Sequence, residues 1–279
     1  MRILEFCLCL AFAASANAQT LEQKAQALID AYPDHVAGFD GTFLIWKDGT
    51  RMPFGSGRED KPLDELLEKP DIADMFHWFY PFGPGGLPAA READPGRIRN
   101  EAFFEKIYGK CRKIPPGGCA RVACTSKNRL ERVPWLAKSG GGAMRASSIN
   151  GAASKLRLVA RDLEALGPEY TRYLVPNGGS YAPRCIARTT RLSVHSFGIA
   201  FDINPRYGQY WRYSLPAKLS ERQVRERNIQ LVYKNRIPLE IVTIFERHGF
   251  IWGGKWYHFD GMHFEYRPEF LALKAVMER

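Results

Sequence analysis

The sequence predicts an α+β fold in which a small antiparallel sheet is flanked by helices and joined to an irregular N-terminal region, on three observations. Two short runs alternate with strand period: Ile199, Phe201 and Ile203 against Ala200 and Asp202, and His263–Tyr266. Leu156, Val159, Leu163 and Leu166 recur at three- and four-residue steps, which is helical spacing. Between residues 70 and 100 aromatics, Pro and Gly crowd together, as in Met75-Phe-His-Trp-Phe-Tyr-Pro-Phe-Gly-Pro, and suit a packed irregular segment better than a regular element.

Taken in order, residues 20–32 read as a short amphipathic helix ended by Pro33. Gly41–Phe54 reads as a hairpin, with Asp48-Gly49 supplying the positive φ angles of a tight primed turn. His77, in the aromatic stretch, is expected to be a core or surface histidine. Residues 150–166 form the clearest helix, with Asn150 expected as its cap and Gly167-Pro168 as its stop. Another helix runs from Pro238 to His248, with Gly249 placed to end it, and a last one begins at Pro268.

The first 18 residues have the form of a secretory signal: Arg2, an apolar run from Ile3 to Ala14, and Ala16-Asn17-Ala18 as an A-x-A cleavage site. Glu5 is the one unfavourable residue in that run. The run is too short for a permanent membrane span, and no later segment approaches the ~20 apolar residues a span needs. The chain therefore reads as exported, periplasmic or extracellular, in three parts: residues 1–18, an N-terminal region at 19–144 with aromatic and Cys-rich loops, and a catalytic domain at 145–279. Arg2 and Glu5 cancel, so the mature chain keeps the formal net charge of +10. That charge aids solubility and also suits an anionic partner; export argues against nucleic acid and leaves membrane headgroups or an acidic wall polymer. Cys111, Cys119, Cys124 and Cys185 remain after cleavage, an even count that suggests two disulfides with three possible pairings. No C-x-x-C pair favours a thiolate metal site instead.

Two motifs carry the chemistry. Ser193-Val-His195-Ser-Phe-Gly198-Ile-Ala200-Phe-Asp202 and Asp260-Gly-Met-His263-Phe-Glu265 together supply two imidazoles, a carboxylate ligand and a spare carboxylate. A hydrolytic Zn2+ needs that inventory: three protein ligands, an open position and a nearby base. If Ile199, Phe201 and Ile203 face the core, Asp202 projects into a cleft, where an unpaired carboxylate is costly to desolvate. Gly198 lets the backbone bend so that His195 converges on Asp202, and Ser193 can hold that turn by a side-chain hydrogen bond. Asp260, three residues before His263, belongs to the preceding turn and suits a general base better than a ligand. Glu265 shares a strand face with His263 and can orient it or pair with a cation.

This pattern, S-x-H-x-x-G-x-A-x-D followed by D-x-x-H-F-E, resembles the VanY-like zinc peptidases of bacterial cell walls, the D-alanyl-D-alanine carboxypeptidases and L-alanyl-D-glutamate endopeptidases. The resemblance covers roughly residues 145–270 and includes the Gly/Trp turn Gly249-Phe-Ile-Trp252-Gly253-Gly254-Lys-Trp256. It implies His195, Asp202 and His263 as zinc ligands, Asp260 as catalytic base and a peptidoglycan stem peptide as substrate. Many relatives carry Glu at the position of Asp260; the shorter side chain resembles the endopeptidase branch. Gly178-Gly-Ser-Tyr181-Ala-Pro-Arg184 resembles the segment with a substrate-facing arginine, which implies Arg184, with Arg188 as alternative, as partner of the oxyanion. Two other readings accommodate the same residues: a non-catalytic wall-binding protein that retains a structural zinc, and a zinc hydrolase acting on an unrelated amide.

Overall fold

The computed structural model describes residues 19–58, 60–85, 90–114, 119, 121–216 and 219–279; the expected signal peptide, residues 1–18, lies outside them. The first helix, α1 (Leu21–Ala31), opens on a capping box in which Thr20 and Gln23 each satisfy the other's backbone N–H. A three-stranded antiparallel sheet follows, β1 (Val36–Phe39), β2 (Phe43–Trp46) and β3 (Arg51–Pro53), in the order β1-β2-β3. The expected hairpin is present, but its turn is not of the primed type. Of Asp48 and Gly49 only the glycine takes a positive φ, 81°, and Trp46 O accepts from Gly49 N while Trp46 N donates to Thr50 O. That is a type I turn closed by a left-handed glycine, in which Asp48 uses its carboxylate to accept from Thr50 N at 3.0 Å.

Short helix α2 (Leu63–Glu68) leads into a stretch with a single helical turn at Ala73–Phe76 and, among the described residues, no other regular element before α3 (Glu101–Tyr108). Two hairpins come next: β4 (Cys111–Lys113) with β5 (Val122–Cys124), and β6 (Leu130–Pro134) with β7 (Ala143–Ser147). The cysteines pair as Cys111–Cys124, across the first of these hairpins, and Cys119–Cys185, which ties it to the segment before His195.

The long helix α4 (Ala152–Glu164) starts two residues later than expected. Asn150 does not cap it: it sits in the left-handed region, and its side-chain amide donates instead to Ala31 O at 3.0 Å, at the end of α1. A tertiary contact has taken the group that the local pattern assigned to the helix. Gly167, with φ 119°, ends α4 as expected. Then come α5 (Thr171–Leu174), β8 (Ala200–Asp202), α6 (Glu221–Glu226), α7 (Leu239–Arg247), β9 (Phe250–Trp252), β10 (His263–Tyr266) and α8 (Pro268–Met277). No helix among the described residues is long and apolar enough to cross a membrane.

The sheet that matters for function has the order β8-β10-β9, all antiparallel. Its third strand, β9, comes from the segment read as part of a Gly/Trp turn. One face is apolar: Phe201 pairs with Phe264, Phe264 with Trp252, and Phe245 of α7 stacks on Phe264 at 3.8 Å between centroids. Removing a buried ring such as Phe264 costs about 3–5 kcal/mol, so this face fixes the sheet firmly on α7. A single apolar cluster runs from Ala25 in α1 through Val133 and Leu156 to Phe264 and Leu273, and α1 packs along α8.

Candidate active site

Register puts the site residues on the other face. His263 lies directly opposite Asp202, and Glu265 opposite Ala200 and Ile251. Asp202 is held by two backbone bonds of 2.8 Å, Gly178 N to its carbonyl and its own N–H to Gly179 O. His195 enters from a single helical turn, Val194–Phe197, whose start is held by Ser193 Oγ accepting from His195 N at 3.4 Å. Gly198 ends the turn at φ 72°, and a Cβ there would meet Leu130 Cδ2 at 2.5 Å. Only glycine satisfies both the left-handed backbone and that close approach.

His195 Nε2 lies 3.4 Å from Asp202 Oδ2, and His263 Nδ1 2.9 Å from Asp202 Oδ1. The far nitrogen of each ring is occupied. His195 Nδ1 bonds the Ser180 carbonyl, and His263 Nε2 bonds Glu265 Oε1 at 2.9 Å. Each of these acceptors takes the N–H of its imidazole and so turns a lone pair toward Asp202. Two lone pairs and a carboxylate converging on one point, with ligand atoms within 4.8 Å of one another, form a donor set that fits a divalent cation. Burial opposes a charge on His263, but the hydrogen bonds to Asp202 and Glu265 outweigh it and lift its pKa to about 10, so an ion at Nδ1 would take the place of the proton shared with Asp202. Burial would raise the Asp202 pKa, but His195 first and the hydrogen bond with His263 second hold it well below the usual carboxylate range.

Glu265 has no solvent exposure. Arg99 grips it through Nη2 and Nε, Arg267 Nη1 approaches at 3.4 Å, and His263 completes the set. Both expected roles, orienting the histidine and pairing with a cation, are thus filled at once.

Asp260 sits in the turn before β10. Its N–H donates to Gly253 O at 2.9 Å, and its carbonyl accepts from His263 N at 3.1 Å. A Cβ at Gly253 would lie 2.7 Å from that carbonyl oxygen, so the glycine lets the two segments close. The carboxylate is buried, and its Oδ1 has no hydrogen-bond partner among the described residues. Burial first, and the charge of Asp202 second, raise its pKa to about 7; His263, Arg97 and Arg184 pull in the opposite direction.

His195, Asp202, Asp260, His263 and Arg184 all line one cavity of about 390 Å³. Arg184 is exposed at its edge, and its backbone is clamped by Ser196 Oγ, which accepts from Arg184 N and donates to Arg184 O, both at 3.0 Å. Arg188, with a left-handed φ of 65°, lines a different cavity, and His77 is exposed away from both. Sequence reasoning missed Arg97, Arg99 and His258 in the cavity wall. The arginines come from the irregular stretch, where nothing local marks them. His258 did carry a signal, since Trp256, His258 and Asp260 alternate.

A family model described as D-alanyl-D-alanine carboxypeptidase matches residues 187–266. That stretch holds both motifs, and the match bears out the resemblance to VanY-like peptidases read from them. No curated protein and no solved structure matches the chain.

Proposed function

We propose that this protein is an exported zinc peptidase that cuts a peptide bond in peptidoglycan stem peptides. The observation that carries the reading is the pair of imidazoles whose outer nitrogens are engaged by Ser180 O and Glu265, leaving their lone pairs to converge on Asp202 beside the unpartnered carboxylate of Asp260. The family match supports the substrate class, and two disulfides suit an oxidising compartment. Residues 145–279 serve as the catalytic domain, and residues 19–144 add its outer wall through Arg97 and Arg99.

His195, Asp202 and His263 would hold the ion, which would supply Lewis acidity and lower the pKa of water. Asp260, poised near neutrality, accepts the proton of the attacking water at its free Oδ1 and passes it to the leaving amine. Arg184 at the cavity edge donates to the developing oxyanion, and its freedom from ion pairs among the described residues leaves its N–H groups available.

The test is incubation of the purified protein with muropeptides, with and without a chelator, read by mass spectrometry. Loss of a terminal alanine identifies a carboxypeptidase, and a cut within the stem or at a cross-link an endopeptidase. No chelator-sensitive product from any muropeptide would overturn the reading in favour of a binding protein.

A further inference from the structure

A second acid–histidine cluster, Asp94, Glu221 and His258, lines the same region and has ligand atoms close enough to suggest another metal site. Its hydrogen bonds exclude that. Arg97 donates to Asp94 Oδ2 and to both oxygens of Glu221, at 3.1 and 3.0 Å. Asp94 Oδ1 accepts from His258 N at 2.8 Å, and Oδ2 also accepts from His258 Nδ1 at 2.7 Å. A guanidinium already fills the place a cation would take.

What the cluster does leave open is His258 Nε2. The ring is 1% exposed, and Nε2 has no hydrogen-bond partner among the described residues. Nδ1 is turned toward Asp94, so Nε2 is the unengaged nitrogen of a residue that lines the cavity. Trp211 packs edge-on against it at 4.7 Å between centroids, which fixes the plane of the ring. Donation of Nδ1–H to Asp94 leaves Nε2 as a lone pair in the neutral imidazole.

We infer that His258 is a substrate-binding residue whose Nε2 accepts a hydrogen bond from a backbone amide N–H of the peptide, at a bond other than the one cut. The inference rests on the peptidase reading above and adds to it a fixed point of registration. With Asp260 at the reacting bond and His258 two residues earlier in the same loop, the substrate backbone is held at two places along one wall.

The experiment is an ester scan on the full chain. Short stem peptides in which one non-scissile amide at a time is replaced by an ester are measured for binding and turnover, with wild type, His258→Phe and His258→Gln. In wild type, one ester position raises KM about 10-fold, with kcat nearly unchanged, as expected for one buried acceptor left unpaired. His258→Phe shows that same loss with the all-amide peptide and no further loss with the ester, while zinc content stays at the wild-type value. His258→Gln, whose side-chain carbonyl can accept, recovers part of the loss. Ester penalties that persist undiminished in His258→Phe, or a wild type that cuts the peptides with no sensitive non-scissile amide, would overturn the role of His258 alone. A wild type that neither binds nor cuts any of the peptides would overturn the peptidase reading together with it. Should His258→Phe fail to fold, the wild-type scan and His258→Gln still decide.

Discussion

Two clusters of histidine and carboxylate meet one cavity, the first through His195, Asp202 and His263 and the second through His258 and Arg97, and they differ in where the positive charge comes from. In the first, Asp202 faces two imidazoles and no guanidinium; Arg99 and Arg267 are spent on Glu265 behind them. In the second, Asp94 and Glu221 face one imidazole, and Arg97 is inserted between the carboxylates. Both are buried, so both need a cation to compensate desolvated carboxylates. One cluster has it built in covalently. The other has a donor set that fits a cation from outside, and on the proposed reading that difference separates a structural cluster from a candidate catalytic one.

The largest effects should come from breaking the first cluster. His195→Ala removes one of the three proposed ligands and should lose stoichiometric zinc and turnover together, measured by metal analysis and muropeptide digestion. Asp260→Ala should retain zinc but lose turnover by about 10²-fold or more, the usual scale for a general base. Loss of metal in Asp260→Ala would place Asp260 among the ligands, and retention of both properties in His195→Ala would remove His195 from them.

Breaking the second cluster should act on the fold. Arg97→Met leaves Asp94 and Glu221 buried with their shared cation gone, and only Arg191, 3.6 Å from Glu221, nearby. Removing one partner of a buried ion pair costs about 3–5 kcal/mol, so denaturant midpoints should fall sharply while residual folded protein still binds zinc at the first cluster. A variant with unchanged midpoint would mean that Arg97 does not hold this cluster together.

The first cluster was legible in the sequence because its residues sit on short periodic elements: His195 before β8, Asp202 at its end, Asp260 and His263 flanking the start of β10. Alternation fixed which way Asp202 points, and a three-residue spacing separated Asp260 from His263. The second cluster was not legible. Asp94 and Arg97 lie in a stretch without regular structure, and Glu221 begins a short helix more than a hundred residues away. Nothing periodic links such residues; only the tertiary fold brings them together. Asn150 failed as a cap for the same kind of reason, since a partner in α1, remote in sequence, outcompeted the local one.

The finest distinction between the clusters is their response to acid in the absence of added metal. Glu221 is buried, which by itself would raise its pKa, but the Arg97 guanidinium, by its charge and its hydrogen bonds, holds it below its ordinary value of 4.5. A depressed carboxylate contributes stability that is complete above the unfolded value and is lost as pH falls through the folded one. The loss therefore begins near pH 4.5 and grows downward, at no more than about 1.4 kcal/mol per pH unit for a single group. Glu221→Gln should be less stable than wild type at pH 7, because Arg97 keeps only Asp94 as a charged partner. Below pH 4.5 its melting temperature should fall less steeply than that of wild type, so the two curves converge. Parallel curves down to pH 3 would show that Glu221 carries no linked proton, and that Asp94 alone anchors Arg97 and, through it, the orientation of His258.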